Sequence, residues 1–312
     1  MTELVPAATS PKCSCCGANV WKRHRYTSSI WYLECLECHY WVQRRQGVAD
    51  PSAQFEAEQR KFYDEDSLLL SPMLSTLTRE ITDRRISTVL HHLPKGGSII
   101  EAGPGSGDVI LSLADRGYAV SAVEHSPVLA RRLREQSGIS VLVGDFADQQ
   151  LPDATYDAYC SFHVIEHVTD FRKHLDVARC CVRKGGLAFI ATPNSRGWEQ
   201  RLPYRLSPNN DSSHFQLFSP RALSVVLEQT GWETVAVYTP SYAIAWLRII
   251  TKILRRVRGI DEDSTGGQFA KSASPRLGVG VSLFAGLTRP FRAFQESLRA
   301  GNELFLVAKR IH

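Results

Sequence analysis

The sequence predicts a doubly wound α/β domain preceded by a small cysteine-rich module. Residues 98–116 read as a short buried strand, a glycine-rich turn and a helix, which together form the ligand-holding corner of such sheets. Four further β-rich runs alternate with helical patterns up to residue 191, as expected for a mostly parallel sheet. Five of the eight cysteines lie within residues 13–38, outside this pattern. Together these observations indicate a Rossmann-like sheet with an N-terminal appendage.

Length and charge limit the classes of protein to consider. The chain has 312 residues, enough for one large domain and an appendage, and its net charge of +5 is too mild to indicate a nucleic-acid partner. Residues 1–10 lack both the charged start and the apolar core of a secretory signal peptide, and no apolar run reaches spanning length. We therefore expect a cytoplasmic protein, with residues 1–10 disordered.

The cysteines form two C-x2-C pairs separated by eighteen residues, a spacing typical of a structural zinc site. The predicted ligands are Cys13, Cys16, Cys35 and Cys38. We expect a zinc ribbon over residues 11–45, with a β-hairpin in the spacer. Cys15 is an alternative ligand to its neighbours, and a redox pair or free thiols are the alternatives to zinc.

The glycine turn follows Glu101, which ends the first strand of the sheet. Gly103, Gly105 and Gly107 alternate through it, and glycine there permits positive φ and close approach of the backbone to a ligand. A dinucleotide site has the spacing G-x-G-x-x-G, whereas the third glycine here comes one residue early. A nicotinamide-dependent reductase is therefore disfavoured, and a turn without any ligand is the simplest alternative.

This turn resembles the first motif of class I S-adenosylmethionine-dependent methyltransferases, E/D-x-G-x-G-x-G. Residues 163–168, His-Val-Ile-Glu-His-Val, follow a predicted strand over 156–162 and resemble the post-strand motif of the ubiquinone-biosynthesis O-methyltransferase type. Residues 192–194, Thr-Pro-Asn, resemble the same relatives. The resemblance implies a seven-stranded sheet with an antiparallel last strand, formed by residues 94–240 and 302–312.

The resemblance also implies which residues hold S-adenosylmethionine. Glu101 and the three glycines would hold the methionine end. Glu124, at the end of the second strand, would bind the ribose hydroxyls, and Asp145 and Phe146 would hold the adenine by a hydrogen bond and by packing. Phe162 would lie near the reactive end of the cofactor. A capping or surface role is the alternative for Glu124, and a turn role for Asp145.

The acceptor determines whether a base is needed. A hydroxyl acceptor calls for a general base, and His163, His167 and His214 are the candidates because imidazole titrates near neutrality. A carboxylate acceptor needs none, and a divalent ion held by histidine and glutamate occurs in some relatives. We expect O-methylation of a small-molecule or carrier-linked acceptor. The alternative is a non-catalytic adaptor whose ribbon binds a partner.

Two segments lie outside these motifs. Residues 46–93 read as a linker and N-terminal helices, including a helix over 73–93, and residues 62–66 resemble a segment that precedes the catalytic domain of ribbon-bearing methyltransferases. Residues 241–301 read as a helical insertion. Its first helix has an apolar face and a basic face, which suits either a lid or peripheral contact with an anionic membrane through residues 241–258.

Overall fold

The computed structural model of the protein describes residues 2–5, 11–27, 29–46, 72–202, 206–207, 209, 213–257 and 275–312. These residues form two sheets, one of seven strands and one of five. The segment at 62–66 lies outside the described residues, as does most of the predicted linker.

The seven-stranded sheet is the central layer. Its strands are β5 (Ser98–Ala102), β6 (Ala119–Glu124), β7 (Ser140–Val143), β8 (Tyr156–Phe162), β9 (Val182–Pro193), β11 (Trp232–Tyr238) and β12 (Glu303–Arg310). Their spatial order is β11-β12-β9-β8-β5-β6-β7, and β12 alone runs antiparallel to both of its neighbours. This is the predicted Rossmann-like methyltransferase sheet. Because β5 lies between β6 and β8, the carboxyl ends of these three strands meet at one edge.

Helices flank this sheet. They are α1 (Pro72–His92), α2 (Asp108–Ala114), α3 (Pro127–Ser137), α4 (Phe171–Cys181), α5 (Pro220–Gln229), α6 (Ala243–Val257), α7 (Pro275–Leu287) and α8 (Arg289–Ser297). Several begin at the caps that the sequence indicates. Ser126 and Ser219 each accept a backbone N–H and precede a proline at the first helical position, which satisfies donors that the first turn leaves open.

The five-stranded sheet contains the cysteine-rich module. It comprises β1 (Thr2–Val5), β2 (Trp21–Arg25), β3 (Ile30–Cys35), β4 (Trp41–Arg45) and the short β10 (Gln216–Leu217). The hairpin of β2 and β3 occupies the cysteine spacer, where the sequence predicts one. We call residues 11–46 the N-terminal ribbon.

Two strands of this sheet differ from the sequence prediction. Thr2–Val5 pair with β2, although we expected residues 1–10 to be disordered, because the open edge of β2 supplies hydrogen-bond partners that local composition does not reveal. β10 belongs to the large domain yet pairs with β4 of the ribbon. Buried side chains of the ribbon and of the large domain, among them Tyr40 and Phe218, share one core cluster.

The insertion, residues 241–301, follows β11 and contacts α1 and the start of β12. Arg292 of α8 is buried and donates to the carbonyl of Ser241 (2.8 Å) and to Glu80 of α1 (2.8 Å). Tyr242 donates to Glu303 at the start of β12 (3.0 Å). These contacts attach the insertion to the sheet edge at which β8 ends. Among the described residues, no helix combines the length and apolar character needed to cross a bilayer.

Candidate functional site

The glycine turn lies between β5 and α2, and its backbone conformation requires glycine. Gly103, Gly105 and Gly107 have φ of 61°, 57° and 83°. A Cβ on Gly103 would lie 2.7 Å from Val164, whereas a Cβ on Gly105 would meet no protein atom within 4 Å. The chain is therefore closely packed beneath Gly103 and open at Gly105. Gly107 is the N-cap of α2, and Asp108 begins the helix.

Glu101 is the clearest sign that this edge of the sheet receives a charged ligand. Its side chain is 3% exposed at the end of β5, and no described residue hydrogen-bonds its Oε2. Burial raises the pKa of this carboxyl to about 8, while Arg85 opposes the rise. A buried carboxylate without a full set of partners is unfavourable in the ligand-free protein. It therefore fits the ammonium group of a cofactor.

Glu124 ends the neighbouring strand β6, on the same sheet edge. Its Oε2 accepts the backbone N–H of Gly105 (3.1 Å) and its Oε1 accepts that of Ser126 (2.8 Å). A carboxylate oxygen can accept more than one hydrogen bond, so both oxygens keep capacity for the two hydroxyls of a ribose. The contact with Gly105 also fixes this carboxylate against the glycine turn.

The three other predicted cofactor residues, Asp145, Phe146 and Phe162, contact other parts of the protein. Asp145 caps a short turn by accepting the N–H of Ala147 (2.8 Å), which is the turn role considered as its alternative. Phe146 is buried, with ring centroids 5.2 Å from Tyr159 and 4.8 Å from His174. Its ring therefore packs in the core, and its predicted contact with the adenine stays a prediction.

Phe162 ends β8 and is also buried. Its ring lies 5.8 Å from that of Phe305 on β12, with the Arg85 guanidinium 5.1 Å from its centroid. Its ring therefore packs in the core beside β12, and its predicted place near the reactive end of the cofactor stays a prediction.

The His-Val-Ile-Glu-His-Val motif forms a sharp turn directly after β8. His163 adopts φ of 59°, and its imidazole lies between two buried carboxylates, with Nδ1 3.0 Å from Glu166 and Nε2 2.7 Å from Glu303. The His163 side chain is 41% exposed; desolvation of its inner edge lowers the pKa of the imidazole, but the two carboxylates outweigh this and raise it to about 9. His163 is therefore an imidazolium at neutral pH, and this protonation does not suit the general-base role expected for it.

His167 and His214 meet on the other side of Glu166. Their ring centroids are 4.8 Å apart. Each Nδ1 lies at a backbone carbonyl, that of Ser213 for His167 (2.9 Å) and that of Asn209 for His214 (2.8 Å). A carbonyl accepts only, so each Nδ1 carries a proton, and in the neutral form of each imidazole the lone pair lies on Nε2. The Nε2 atoms are therefore the nitrogens of this pair that could bind a cation or accept a proton.

Glu166 completes a three-residue cluster with this pair. Ligand atoms of Glu166, His167 and His214 all lie within 4.8 Å of one another. Burial would raise the pKa of the Glu166 carboxyl, but the adjacent His163, His167 and His214 lower it to about 2. Two imidazoles and a carboxylate are a recognised donor set for divalent cations, and imidazole ligands usually donate their second nitrogen to a carbonyl, as both do here.

Sequence reasoning missed the residues that support this cluster. Glu303 lies 140 residues after His163, and Arg85 binds it from α1 at 2.5 Å. Thr192, within the Thr-Pro-Asn motif, donates to Glu166 (3.0 Å). Glu166 and Thr192 lie inside motifs that we had identified, so a signal existed for them. Glu303 and Arg85 carry no local signal, because only the fold brings them to this edge.

The four predicted zinc ligands converge in the ribbon. Their sulfur atoms lie within 4.8 Å of one another, with Cys13 Sγ 3.7 Å from Cys38 Sγ and Cys16 Sγ 3.6 Å from Cys35 Sγ. Four thiolates around a tetrahedral zinc, at about 2.3 Å each, would stand about 3.8 Å apart. The group of converging ligand atoms comprises these four cysteines and not Cys15. The cluster is compatible with one zinc ion.

Comparisons with known proteins agree with this architecture. The family model described as a methyltransferase domain matches residues 73–237, just over half of the chain. A ubiquinone biosynthesis O-methyltransferase of Methylocella silvestris is 38% identical over 108 residues, covering 32% of this chain and 41% of that protein. A Mycolicibacterium smegmatis protein named "Probable S-adenosylmethionine-dependent methyltransferase/" is 28% identical over 145 residues, covering 46% of this chain and 55% of that protein.

Solved structures share the fold at low sequence identity. A geranyl diphosphate methyltransferase in complex with SAM is 17% identical with a TM-score of 0.50, and the match covers 85% of this chain and 92% of that one. A SAM-dependent methyltransferase from Archaeoglobus fulgidus is 14% identical with a TM-score of 0.50, covering 76% and 97%. This chain spans about half the length of the curated relatives it matches. From the family model and the sheet order, the chain belongs to the methyltransferase-domain family, in its class I S-adenosylmethionine-dependent form.

Proposed function

We propose that the protein transfers the methyl group of S-adenosylmethionine to a hydroxyl group of a small-molecule acceptor. The observation that carries the proposal is the incompletely paired, buried Glu101 carboxylate beside an open glycine turn. Glu101 would hold the ammonium group, the backbone at Gly105 would approach the ligand, and Glu124 would accept the ribose hydroxyls. When bound, S-adenosylmethionine supplies an electrophilic methyl group and is converted to S-adenosylhomocysteine.

The acceptor would lie at the His167–His214 pair. The post-β8 turn contacts the glycine turn, since Val164 lies beneath Gly103, and this supports a position of the pair next to the proposed cofactor site. Bound S-adenosylmethionine would supply the methyl group to the acceptor oxygen, and Nε2 of His167 or His214 would accept the hydroxyl proton. His163 cannot take this proton while it is an imidazolium, so its role is to hold Glu166 and Glu303 in place.

Methylation of a panel of phenols, alcohols and sugars with methyl-labelled S-adenosylmethionine tests this proposal. We expect His167→Ala and His214→Ala to abolish transfer while S-adenosylhomocysteine affinity, measured by calorimetry, stays within about threefold. His91→Ala, on the exposed end of α1, is the matched control. Binding of S-adenosylhomocysteine without transfer to any acceptor would instead support the adaptor interpretation, in which the ribbon serves a partner.

A divalent cation is a second candidate for the way in which the cluster holds the acceptor. The observation that favours it is the donor set of Glu166, His167 and His214, with both Nδ1 atoms directed to carbonyls. Such an ion would orient the acceptor oxygen and stabilise its alkoxide. Electron paramagnetic resonance should show Mn²⁺ bound by the wild-type protein and lost in His214→Ala. If Mn²⁺ does not bind, the two imidazoles act as bases alone.

We propose that the four ribbon cysteines hold a structural zinc ion. The sulfur separations support this, since four thiols make up the full ligand set of a tetrahedral zinc ion. A small module of this size buries little apolar surface of its own, so metal binding would supply much of its folding free energy. Elemental analysis for about one zinc per chain tests it directly.

We also propose that the insertion meets an anionic membrane surface. Exposed apolar side chains recur every three or four residues along α7 and α8: Leu283, Leu287, Phe291, Phe294 and Leu298. Residues 243–300 contain ten lysines and arginines against four acidic residues. An apolar row within a basic segment is typical of interfacial helices. Vesicles rich in phosphatidylglycerol should bind the protein, and Leu287→Ser with Phe294→Ser should reduce binding. If neither these vesicles nor phosphatidylcholine vesicles bind, the row covers the acceptor as a lid.

A further inference from the structure

The N-terminal ribbon reaches the proposed acceptor site through the backbone of Phe215. The N–H of Phe215 donates to the carbonyl of Glu166 (2.9 Å), and its own carbonyl accepts the N–H of Gln43 on β4 (2.7 Å). The next two residues form β10, which pairs antiparallel with Trp41 and Val42. His214 is therefore adjacent to a strand that the ribbon holds in register.

Two ribbon side chains bind the carbonyl of His214 itself. The Tyr32 hydroxyl donates to it at 2.8 Å, and the Gln43 side-chain amide donates to it at 3.0 Å. Gln43 also donates to the Tyr32 oxygen (3.0 Å), and Arg45 donates to Gln43 Oε1 (2.6 Å). Tyr32 is fully buried and Gln43 nearly so. Two donors on one buried carbonyl restrict the position of the His214 backbone.

Gln216 likewise restricts the backbone of the turn that contains Glu166 and His167. Its side-chain amide donates to the carbonyls of Ile165 (2.8 Å) and Val168 (2.6 Å), at the two sides of that turn. Its Oε1 accepts the hydroxyl of Tyr40 (2.6 Å), two residues after Cys38. The hydroxyl of Tyr40 thus orients the Gln216 amide, which binds both sides of the turn that follows β8.

The turn at residues 35–39, which we call the cysteine knuckle, contacts the large domain directly. The carbonyl of Cys38 accepts the hydroxyl of Ser219, which also caps α5, and the carbonyl of His39 accepts the hydroxyl of Ser195 (2.6 Å). Arg221 donates to the carbonyl of Glu37 (2.9 Å). The position of the knuckle, and through it that of Tyr40, depends on the closed four-cysteine cluster.

We propose that the ribbon is a positioning element of the acceptor site. Tyr32, Tyr40 and Gln43 fix the backbone of residues 165–168 and 213–216, and thereby the separation of His167 and His214. The proposal rests on the proposed function, which places the acceptor at this histidine pair. The cofactor residues Glu101, Gly105 and Glu124 have no hydrogen bond to the ribbon in the described structure, so the ribbon should affect the acceptor side alone.

The test uses Tyr32→Phe and Tyr40→Phe in the full, zinc-loaded chain. Each change removes one hydroxyl and keeps the ring, including the packing of Tyr40 on Phe218. Tyr118→Phe is the matched control, because it also removes one buried hydroxyl-to-carbonyl bond (to Leu93, 3.0 Å) but far from the histidines in the fold. Hydrogen exchange is followed at the amides of Phe215 and His167, and imidazole ¹⁵N chemical shifts of His167 and His214 are recorded at fixed pH.

We expect each ribbon variant to speed exchange of the Phe215 and His167 amides about tenfold, in line with loss of a buried hydrogen bond. The imidazole shifts of His167 and His214 should change, while S-adenosylhomocysteine affinity stays within about threefold. Tyr118→Phe should leave both readouts unchanged. Loss of the ribbon zinc through Cys38→Ser should produce the same changes in larger degree.

Unchanged imidazole shifts in both variants and after zinc removal would overturn the proposal. Faster exchange throughout the central sheet would also contradict it, since that result indicates general destabilisation. Failure of the wild-type protein to bind S-adenosylhomocysteine would refute the proposed function instead, and the two failures are therefore distinguishable.

Discussion

Replacing Glu101 by glutamine tests the cofactor site most directly, because it removes a charge and preserves the shape of the side chain. Burial raises the pKa of the Glu101 carboxyl from its usual 4.5 to about 8. Since this pKa lies above that of the unfolded chain, the cost of burial is absent below about pH 4.5 and grows as the pH rises towards 8. At pH 7 the cost is about 3 kcal/mol, at about 1.4 kcal/mol for each pH unit.

We therefore expect Glu101→Gln to raise the free energy of unfolding of the ligand-free protein by about 3 kcal/mol at pH 7. The gain should vanish near pH 4.5. The same change should weaken S-adenosylhomocysteine binding by roughly 10- to 100-fold, because the ligand ammonium loses a charge-assisted hydrogen bond. Urea denaturation at several pH values measures the first effect and calorimetry the second.

Wild-type binding should also release a proton at pH 7. Glu101 is mostly protonated in the ligand-free protein at that pH and would ionise beside the ammonium group. The binding enthalpy should therefore differ between phosphate and Tris buffers for wild type, but not for Glu101→Gln. Glu135→Gln, on the exposed face of α3, is the control. Equal affinity of Glu101→Gln and wild type, or no proton release by wild type, would refute the role of Glu101.

Three further predictions concern the glycine turn, the zinc site and the Thr-Pro-Asn motif. Gly105→Ala and Gly138→Ala both place a Cβ at positive φ in open space, so each should cost about 1 kcal/mol of stability, but only Gly105→Ala should abolish S-adenosylhomocysteine binding by calorimetry. Cys38→Ser should lose zinc in elemental analysis and Cys15→Ala should keep it; the reverse would show that the ligand set is wrong. Asn194→Ala removes a buried donor to the loop before β12 (2.8 Å) and should lower the free energy of unfolding by about 1–3 kcal/mol in urea titration, with cofactor affinity unchanged.

Local patterns predicted most of the elements of this fold. Tyr156–Phe162 is a strand with the predicted limits, and α5 begins at Pro220 directly after its Ser219 cap. These features depend on short-range chemistry: alternation of apolar residues, capping hydroxyls and turn glycines. The same holds for the glycine turn with Glu101 and for the two cysteine pairs, whose members are close in sequence.

Side-chain direction was less predictable than strand position. Phe146 and Phe162 occupy positions where the family resemblance implied cofactor contact, yet both rings lie in the core. His163 was a candidate base, and its position between Glu166 and Glu303 raises its pKa to about 9. Of these two carboxylates, Glu166 lies in the same motif and Glu303 is distant in sequence.

The amino-acid sequence by itself determined the class of sheet, the cofactor-holding turn and the cysteine cluster, because each is specified by residues within a short span. Only the tertiary structure decided how the ribbon packs on the large domain and which carboxylates and carbonyls the histidines contact. The contacts of Gln43 with His214, of Gln216 with Val168 and of Glu303 with His163 span between 48 and 171 positions, and they exist only because β10 joins the ribbon sheet and β12 returns beside β9. Long-range strand pairing, which no local pattern encodes, sets the electrostatics and geometry of the proposed acceptor site.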